Sequence, residues 1–307
     1  MGLSSLKVAI LGGGVFGRYH AQKAKAHAGV SSLSIYDPDT ARAQRVADEL
    51  GLTCHETLAA ALAACDVVVI ATPAIYHADL AIAALKAGRH CLIEKPLAHD
   101  ISHGKDICAL AQDKNLIIHV GHQERFVLEA IALNTIVSTP KLIEIHRENL
   151  FNPRGTDVSA TLDLTIHDLD LVMWLMGGEP LGVLATGSSV ETSFIDRSRA
   201  ELIYGNSKVI IHTNRVAQKG RRTMVIAYPE GTVDIDFNRK TLVNKSPFIL
   251  NENFGEDVKA RDALAASDHA FYEAVLNGTP SVIPPEDGLR ALEWAYEIDN
   301  LILGQGL

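Results

Sequence analysis

A lysine follows a short apolar run in the segment LIEKPLA, residues 92–98. Lysine is among the side chains least often buried, and proline ends a sheet ladder because it has no N–H to donate. The segment therefore predicts a buried strand that stops at Ile93 and leaves Lys95 just beyond its end. An ammonium group there can stabilise negative charge on a reacting oxygen. The alternative is a surface ion pair between Glu94 and Lys95, which would contribute little to stability.

A carboxylate and an imidazole lie four residues apart in the segment TLDLTIHDLDLVMWLMG. The apolar spacing predicts a half-buried helix over 161–176, and positions i and i+4 share one face of a helix. Asp163 can therefore orient the ring of His167 and stabilise its protonated form, which tunes a general base. An ordinary intrahelical contact is the alternative. Metal binding by His167, Asp168 and Asp170 is disfavoured, because adjacent helical positions point to different faces.

Lys95 and His167 together fit the oxidation of a secondary alcohol. The alcohol oxygen must lose its proton as the carbon loses a hydride, and a histidine with its ordinary pKa of about 6.5 can take that proton at neutral pH. A lysine cation beside the same oxygen stabilises the developing charge. The hydride acceptor must be a cofactor, so the sequence should also contain a dinucleotide site.

Three glycines with dinucleotide-binding spacing follow the first apolar run, in GGGVFG. Gly12 permits a tight turn, Gly14 lets a pyrophosphate approach the backbone, and Gly17 allows the next helix to pack closely. The N-terminus of that helix faces the phosphate charge. We therefore predict a cofactor site that also includes Val15 and Phe16 of the same turn. A glycine turn without a ligand is the alternative.

Asp37 follows the second predicted strand, twenty residues after Gly17. Its carboxylate can accept hydrogen bonds from ribose hydroxyls and repels a 2′-phosphate, which favours NAD over NADP. Arg42 is close enough in sequence to soften that preference. The predicted cofactor is therefore NAD, and NADP is the less favoured alternative.

Further candidate cofactor contacts follow the next predicted strands. Thr72 and Pro73 come directly after the strand predicted over 67–71, and the carboxyl ends of such strands form the ligand crevice. Thr72 can bond a ribose or a phosphate, or it can cap the next helix. His77 and Glu94 belong to the same predicted site, and a plain helix-surface role is the alternative for His77.

Two domains are predicted to position these residues. Residues 1–122 alternate short apolar runs with Ala-rich helical patterns, which predicts an α/β dinucleotide-binding domain with a doubly wound parallel sheet. Residues 123–307 predict an α+β domain with an open, mainly antiparallel sheet for substrate binding and oligomerisation. The predicted strands cover 6–11, 32–36, 67–71, 90–93 and 117–120, then β-like stretches near 141–149, 181–191, 199–216, 222–228 and 231–245. Helices are predicted over 124–138, 161–176, 257–277 and 285–303.

Composition excludes several classes of function. The chain has 28 basic and 37 acidic residues and a net charge of −9, which argues against nucleic acid because phosphate binding needs a basic face. The sequence contains no apolar run of roughly 18 residues that could span a membrane, and its first residues lack the apolar core of a signal peptide. The scattered cysteines indicate reduced thiols and a cytoplasmic location, and we predict no metal site. The cysteines are Cys54, Cys65, Cys91 and Cys108.

Six segments resemble, in order, the motifs of the glucose–fructose oxidoreductase / inositol dehydrogenase / rhizopine-catabolism family of NAD(P)-dependent sugar dehydrogenases. They are GGGVFG (12–17), YDPD (36–39), ATPAIYH (71–77), AGRHCLIEKPLA (87–98), GHQERF (121–126) and DLTIHDLDLVMWL (163–175). The resemblance covers most of the first 180 or so residues, whereas the region after about 181 carries no matching motif. The combination of EKP with Asp-x-x-x-His is specific to such a family.

The resemblance implies roles beyond those that the spacing indicates. It places the family's lysine at Lys95, its histidine acid/base at His167 and the nearby aspartate at Asp163, with a cis peptide before Pro96 as in many relatives. It also implies a Rossmann domain followed by an α+β domain whose open sheet makes oligomer contacts. A homodimer or homotetramer is therefore expected.

The resemblance further implies where the substrate binds. Gln123 and Arg125 fall where relatives line the nicotinamide and substrate region. The motif GHQERF and the chain length are most similar to UDP-N-acetylglucosamine 3-dehydrogenases and related enzymes, although Val127-Leu128 replaces their usual Asn-Pro. Arg125, Arg147 and Arg154 can meet a diphosphate or a carboxylate, and Arg154 is included in the predicted substrate site. Solvated charge beside a loop is the alternative for Arg147 and Arg154.

Three functions are compatible with these residues to different degrees. The leading prediction is an NAD-dependent oxidoreductase that moves a hydride between nicotinamide and a secondary hydroxyl or ketone of a sugar, cyclitol or sugar nucleotide. The alternative is a non-catalytic NAD-binding regulator of the same fold, which loss of Lys95 or His167 would have favoured. NADP-linked reduction of a small imine or carbonyl is disfavoured by Asp37.

Overall fold

The structure is a computed structural model that describes residues 4–153 and 156–304. The chain forms two compact units. The first unit combines Met1–Gln123 with Asp262–Leu289, and the second combines Glu124–Arg261 with Arg290–Leu307. The first unit therefore includes a segment that comes late in the sequence. Arg154 and Gly155 lie outside the described residues.

A parallel sheet of six strands is the centre of the first unit. Its strands lie in the order β3-β2-β1-β4-β5-β6, and every neighbouring pair is parallel. Strand order reverses beside β1, and ligands bind beyond the carboxyl ends of strands at such a switch point. The predicted parallel sheet of Rossmann type is confirmed. The strands are β1 (Leu6–Leu11), β2 (Val30–Tyr36), β3 (Thr53–Cys54), β4 (Val67–Ile70), β5 (His90–Ile93) and β6 (Ile118–Val120).

Helices connect the strands of the first unit, and the second unit has helices of its own. Several ends follow from local chemistry: the Asp39 side chain accepts a hydrogen bond from the Arg42 N–H at one helix start, and Gly51 ends that helix at φ 69°. Asn115 and Gly278 end two other helices in the same left-handed region, as is common at helix C-termini. The α-helices are α1 (Val15–Ala26), α2 (Thr40–Leu50), α3 (Leu58–Ala63), α4 (His77–Lys86), α5 (Ile101–Lys114), α6 (Arg125–Ile131), α7 (Ile166–Met176), α8 (Val258–Arg261), α9 (Ala263–Asn277) and α10 (Pro285–Ile302).

In the first unit, one apolar core cluster lies between the sheet and helices α1, α2 and α9. All four residues of β4 are buried, which fits a parallel strand that is covered on both faces. Phe271 and Val275 of α9 join Ile10 and Leu92 in one apolar cluster. Each large apolar side chain buried there stabilises the unit by about 1.5–3 kcal/mol. Helix α9 is therefore an integral part of this core.

The second unit contains a seven-stranded sheet in the order β13-β12-β11-β7-β10-β9-β8. Only the pair of β7 and β10 is parallel among the paired strands described, so the predicted mainly antiparallel sheet is confirmed. The β-like stretch predicted over 199–216 is a hairpin that turns at Gly205, with φ 62°. The strands are β7 (Leu142–Glu148), β8 (Gly182–Ser188), β9 (Arg197–Tyr204), β10 (Ser207–Asn214), β11 (Arg221–Tyr228), β12 (Gly231–Asp236) and β13 (Thr241–Lys245).

Three predicted helices are interrupted in the structure. The helix predicted over 124–138 ends at Ile131, because Ala132 has the left-handed φ of 72°. The helix predicted over 161–176 begins with a π-helical turn, Thr161–Thr165, before α7 starts. The helix predicted over 257–277 breaks at Asp262, whose side chain accepts a hydrogen bond from the Ala265 N–H and caps α9. Short 3₁₀ turns lie at Ala74–Tyr76, Leu133–Thr135 and Phe254–Glu256. Among the described residues, we find no helix with both the length and the apolar character needed to cross a membrane.

Candidate active site

The glycine turn between β1 and α1 has the shape that a pyrophosphate requires. A Cβ at Gly12 would lie 2.6 Å from the Ala71 carbonyl oxygen, and a Cβ at Gly17 would lie 1.9 Å from the Gly12 carbonyl oxygen. Gly12 also has φ 110°. Open space surrounds the Cβ position of Gly14, which caps α1 without a side-chain hydrogen bond. The first N–H groups of α1 are therefore available to an anionic ligand.

Apolar side chains are exposed in two loops at this edge of the parallel sheet. Val15 and Phe16, at the start of α1, each have an exposed fraction of 44%. Ile75 and Tyr76, after β4, are 49% and 52% exposed. Large apolar side chains left in water at a strand edge are typical of surfaces that a ligand covers.

Asp37 is buried, and its carboxylate is bonded to the backbone of two loops. One oxygen accepts from the Gly13 N–H at 2.7 Å and the other from the Asp39 N–H at 2.8 Å. The Arg42 guanidinium lies 3.7 Å from the Asp37 carboxylate and donates to Asp39 at 3.0 Å. Each carboxylate oxygen keeps a lone pair for a ribose hydroxyl, but Arg42 partly offsets the repulsion of a 2′-phosphate. Asp37 thus also holds the glycine turn in place.

Thr72 does not cap the helix that follows it. The 3₁₀ turn after β4 has Pro73 at its cap position, without a side-chain cap. The Thr72 hydroxyl is buried and has no hydrogen-bond partner among the described residues. A buried hydroxyl without a partner costs free energy, so a ribose or phosphate oxygen would satisfy it.

His77 is buried, which excludes the predicted alternative of a helix-surface role. Its Nδ1 lies 2.7 Å from the Pro96 carbonyl oxygen, and its Nε2 lies 2.9 Å from the Thr72 carbonyl oxygen. Burial lowers the pKa of His77. A neutral ring has one N–H and can donate to only one of these oxygens. His77 therefore lies between the loops that carry Thr72 and Lys95 and can donate to either carbonyl oxygen.

Lys95 lies two residues beyond the end of β5 and is half-buried. The Lys95–Pro96 peptide bond is cis, as the family resemblance implies. Glu94 is buried rather than exposed, so the alternative of a surface ion pair is wrong. Its Oε1 lies 3.1 Å from Nε2 of His20, a residue that the sequence reasoning missed. The available signal was a histidine on the buried side of α1, three residues after Gly17.

His167 lies in the first turn of α7, and the carboxylate described beside it is Glu124. His167 Nδ1 lies 3.7 Å from Glu124 Oε1, and the two side chains are only 12% and 13% exposed. Arg147 donates to Glu124 at 2.7 and 3.1 Å, and Arg222 forms a further ion pair with it. Burial alone would raise the pKa of the Glu124 carboxyl, but the two arginines hold it well below its ordinary value. Glu124 thus presents a fixed negative charge to His167.

Sequence reasoning missed this role of Glu124, although it lies in the segment GHQERF. Asp163, the predicted partner of His167, lies in the π-helical turn, is half-buried and donates its N–H to the Ser159 carbonyl at 3.0 Å. Its pairing with His167 stays a prediction. The available signal for Glu124 was an acidic side chain at the start of a helix, together with arginines on later strands that could pair with it.

The arginines near α7 are held by carboxylates. Arg147 is buried and donates to Asp168 at 2.7 and 2.8 Å as well as to Glu124. It is therefore not a solvated charge, and that alternative is wrong for Arg147. Arg125 is buried and donates to Asp170 at 2.8 Å. The aspartates of the disfavoured metal set thus bind arginines.

Two further residues of the predicted substrate site are Gln123 and Arg154. Gln123 is half-buried and ends the first segment of the first unit. Arg154 falls outside the described residues. The substrate contacts of Gln123, Arg125 and Arg154 stay predictions.

Comparison with known proteins gives matches over nearly the whole chain. Residues 6–122 match a family model described as an oxidoreductase family with an NAD-binding Rossmann fold. Residues 134–234 match the model of the C-terminal domain of the same family.

Several relatives match along their full length. UDP-N-acetylglucosamine 3-dehydrogenase of Acidithiobacillus ferrooxidans is 33% identical, covering 95% of this chain and 96% of that protein. Its solved structure has a TM-score of 0.90 and 99% coverage of both chains at 30% identity. Inositol 2-dehydrogenase of Rhizobium meliloti is 25% identical, covering 95% of each. A protein from gentamicin A biosynthesis, solved with NAD, shares the fold at 22% identity, with a TM-score of 0.83 and coverage of 99% and 95%.

Proposed function

The chain belongs to the glucose–fructose oxidoreductase / inositol dehydrogenase / rhizopine-catabolism family, and we propose that it oxidises a secondary hydroxyl of a sugar nucleotide with NAD. It is an NAD(P)-dependent dehydrogenase that acts on CH–OH groups. The observation that carries the proposal is the placement of Lys95 two residues beyond the end of β5, on the sheet edge that also carries the glycine turn. A sugar nucleotide is preferred over a free sugar because the relative that acts on UDP-N-acetylglucosamine matches along its whole length.

The residues of the glycine turn fit a dinucleotide. The open space at Gly14 suits the pyrophosphate, and the buried hydroxyl of Thr72 needs an oxygen partner. Asp37 offers its remaining lone pairs to ribose hydroxyls. NAD is proposed as the preferred cofactor because Asp37 is buried beside the turn. Arg42 weakens the preference over NADP, because its positive charge can partly offset the repulsion between Asp37 and a 2′-phosphate. The bound nicotinamide supplies the hydride acceptor.

We assign the proton and the charge to two side chains. His167 takes the hydroxyl proton as the carbinol carbon loses its hydride, and the product is the ketone. The fixed negative charge of Glu124 favours the protonated ring that results. The Lys95 ammonium stabilises the partial negative charge on the substrate oxygen during transfer. Asp163 is proposed as a second carboxylate that orients His167.

The experiment is a search for turnover with a short substrate panel. NAD and NADP are each mixed with UDP-N-acetylglucosamine, free N-acetylglucosamine and myo-inositol, and formation of the reduced cofactor is followed by absorbance. We expect NAD reduction with the sugar nucleotide and a slower reaction with NADP. Turnover only on a free sugar or cyclitol would overturn the substrate assignment. NAD binding without turnover on any compound would favour the non-catalytic regulator instead.

A further inference from the structure

A buried histidine of α1 lies between two carboxylates in the first unit. His20 Nδ1 lies 2.9 and 3.0 Å from the two carboxylate oxygens of Asp268, and its Nε2 lies 3.1 Å from Glu94 Oε1. The side chains of His20 and Asp268 are each 1% exposed, and that of Glu94 is 10% exposed. Water therefore has almost no access to this cluster.

The geometry fits the imidazolium form of His20, whose two N–H groups can each donate to a carboxylate. A neutral ring has a single N–H, so one of its nitrogens would direct a lone pair at a carboxylate. Burial lowers the pKa of His20, but Asp268 and Glu94 together raise it to about 10. Burial alone would raise the pKa of Glu94, but the cations of His20 and Lys95 lower it by more. The net pKa of Glu94 is below its ordinary value, which keeps Glu94 ionised. Glu94 is thus stabilised as a carboxylate by the cations of both His20 and Lys95.

The cluster fixes the backbone position that presents Lys95. Glu94 is the residue before Lys95, and a Cβ at Gly121 would lie 2.9 Å from Glu94 Oε1, so the carboxylate is closely packed. On the other side of Lys95, the Pro96 carbonyl oxygen lies 2.7 Å from His77. Lys95 is therefore flanked by two anchored residues and keeps only its side-chain torsions.

The cluster also joins this loop to the cofactor turn. His20 belongs to α1, the helix whose N-terminus follows Gly14. Asp268 belongs to α9, which packs into the same apolar core. A shift of α1 would therefore move the His20 ring, and Glu94 would follow its hydrogen-bond partner.

We propose that His20 and Asp268 are positioning residues of the dehydrogenase: they hold Glu94, and through it the Lys95 backbone, in register with the cofactor helix. The proposal rests on the function proposed above for Lys95. Neither residue touches the substrate or cofactor in this role. Displacement of a polarising group by about 1 Å can cost ~100-fold in rate, which sets the scale of the expected effect.

The test compares Asp268→Asn with Ser267→Ala. Ser267 is the neighbouring buried residue of α9 and lies 3.0 Å from His119 Nε2, so its replacement removes a buried hydrogen bond and leaves Glu94 untouched. Both variants lose stability. We expect Asp268→Asn alone to lower kcat, by roughly 10- to 100-fold, with a smaller change in the KM for the sugar substrate.

The pH profile separates a positioning role from a merely structural one. With Asn at position 268, the carboxylate that raises the His20 pKa most is gone, so His20 loses its proton at lower pH. We expect kcat of Asp268→Asn to fall on the alkaline side, well below the pH of about 10 at which His20 loses its proton in the unchanged protein. Asp268→Glu keeps the charge and should restore much of the profile. An unchanged profile and kcat in Asp268→Asn would overturn the proposal.

Two readouts do not depend on turnover. Nitrogen NMR of His20 should show the imidazolium at pH values near 8 in the unchanged protein and the neutral ring in Asp268→Asn. The acetylation rate of Lys95, mapped by mass spectrometry against other lysines, should change in Asp268→Asn and not in Ser267→Ala. An unchanged Lys95 rate would refute the positioning role even if no substrate is found. A changed rate in a protein without turnover would refute the proposed function alone.

Discussion

At the scale of single residues, the two groups assigned to catalysis are held in different ways. Lys95 lies between Glu94 and Pro96, and each of these is bonded to a buried histidine. His167 lies on a helix, and the Glu124 carboxylate 3.7 Å from its ring is fixed by two arginines. In both places the side chain proposed to react has neighbours whose polar groups already have partners, which would limit reorganisation during the proposed reaction.

Lys95→Met keeps the length of the side chain and removes its charge. We expect kcat to fall by about 10²–10³-fold, the usual loss when one group that stabilises developing charge is removed. The affinity for NAD, measured by calorimetry, should change little. Lys86→Met, at the exposed end of α4, is the matched control and should retain full turnover. Full turnover of Lys95→Met would disprove the assigned role.

Glu124→Gln removes the negative charge 3.7 Å from His167 Nδ1. The ionised carboxylate favours the protonated ring, so its loss makes His167 a weaker base. For alcohol oxidation, activity falls as pH decreases and His167 becomes protonated. We therefore expect this acid limb to move to lower pH and the plateau rate to decrease, as measured by kcat between pH values of about 5 and 9.

The control for Glu124 is another glutamate of the same region. Glu129 on α6 pairs with Lys259 at 2.8 Å on the exposed side of the unit. Glu129→Gln should leave the acid limb where it is. A limb that stays in place in Glu124→Gln as well would show that Glu124 does not tune His167.

At the scale of elements, the turn between β1 and α1 combines two different demands on glycine. Gly17 is required by packing, because its Cβ position is occupied by the Gly12 carbonyl. Gly14 faces open space and has φ −73°, which any residue can adopt. Gly17 thus serves the fold, and Gly14 leaves space for the proposed ligand.

This difference gives a paired prediction. Gly17→Ala should destabilise the protein by at least about 1–3 kcal/mol, because backbone atoms must move to accept the methyl group. Gly14→Ala should leave the free energy of unfolding nearly unchanged and weaken NAD binding about tenfold or more, because the methyl group stands where the pyrophosphate approaches. Urea unfolding and calorimetric titration measure the two effects. Equal NAD affinity in Gly14→Ala would contradict the proposed position of the pyrophosphate.

At the scale of the whole molecule, the open face of the seven-stranded sheet is a candidate oligomer surface. One row of paired residues crosses all seven strands, and its side chains alternate between apolar and acidic. Its members are Leu184, Glu201, Ile210, Glu144, Val225, Asp234 and Val243. Three of the apolar ones, Leu184, Val225 and Val243, are 62%, 37% and 51% exposed. We propose that this face joins copies of the chain.

Val225→Glu tests that surface at its centre. The new carboxylate would lie opposite Glu144 and Asp234, and like charges directly opposite are unfavourable. We expect a dimer or tetramer of the unchanged chain in analytical ultracentrifugation and a smaller species for the variant. Val137→Glu, at a position 98% exposed outside the sheet, should not alter the mass. A monomeric unchanged chain would disprove the proposal.

The stability of the protein should also depend on pH through His20. Its pKa is raised to about 10 in the folded protein from about 6.5 in an unfolded chain. A raised pKa contributes stability that is fully present below pH values of about 6.5 and is lost as pH rises through the folded value. We expect urea-unfolding free energies to decline between those limits more steeply in the unchanged protein than in His20→Gln. Parallel curves would show that His20 is not charged.

The sequence alone determined the parallel sheet, the mainly antiparallel sheet, the glycine turn and the strand end at Lys95. These follow from patterns among near neighbours: apolar runs, glycine spacing and a proline that stops a strand. Asp37 was placed correctly beside the turn, but its bonds to Gly13 and Asp39 required the folded backbone.

Only the tertiary structure decided which charges are buried together. His20 and Asp268 are 248 residues apart in sequence. Arg147 lies on β7, whereas its partners Glu124 and Asp168 lie at the starts of α6 and α7. Periodicity can assign a charged residue to the buried side of an element, but it cannot identify the opposite charge. A buried ion is stable only with its partner, and that partner comes from wherever the chain folds back.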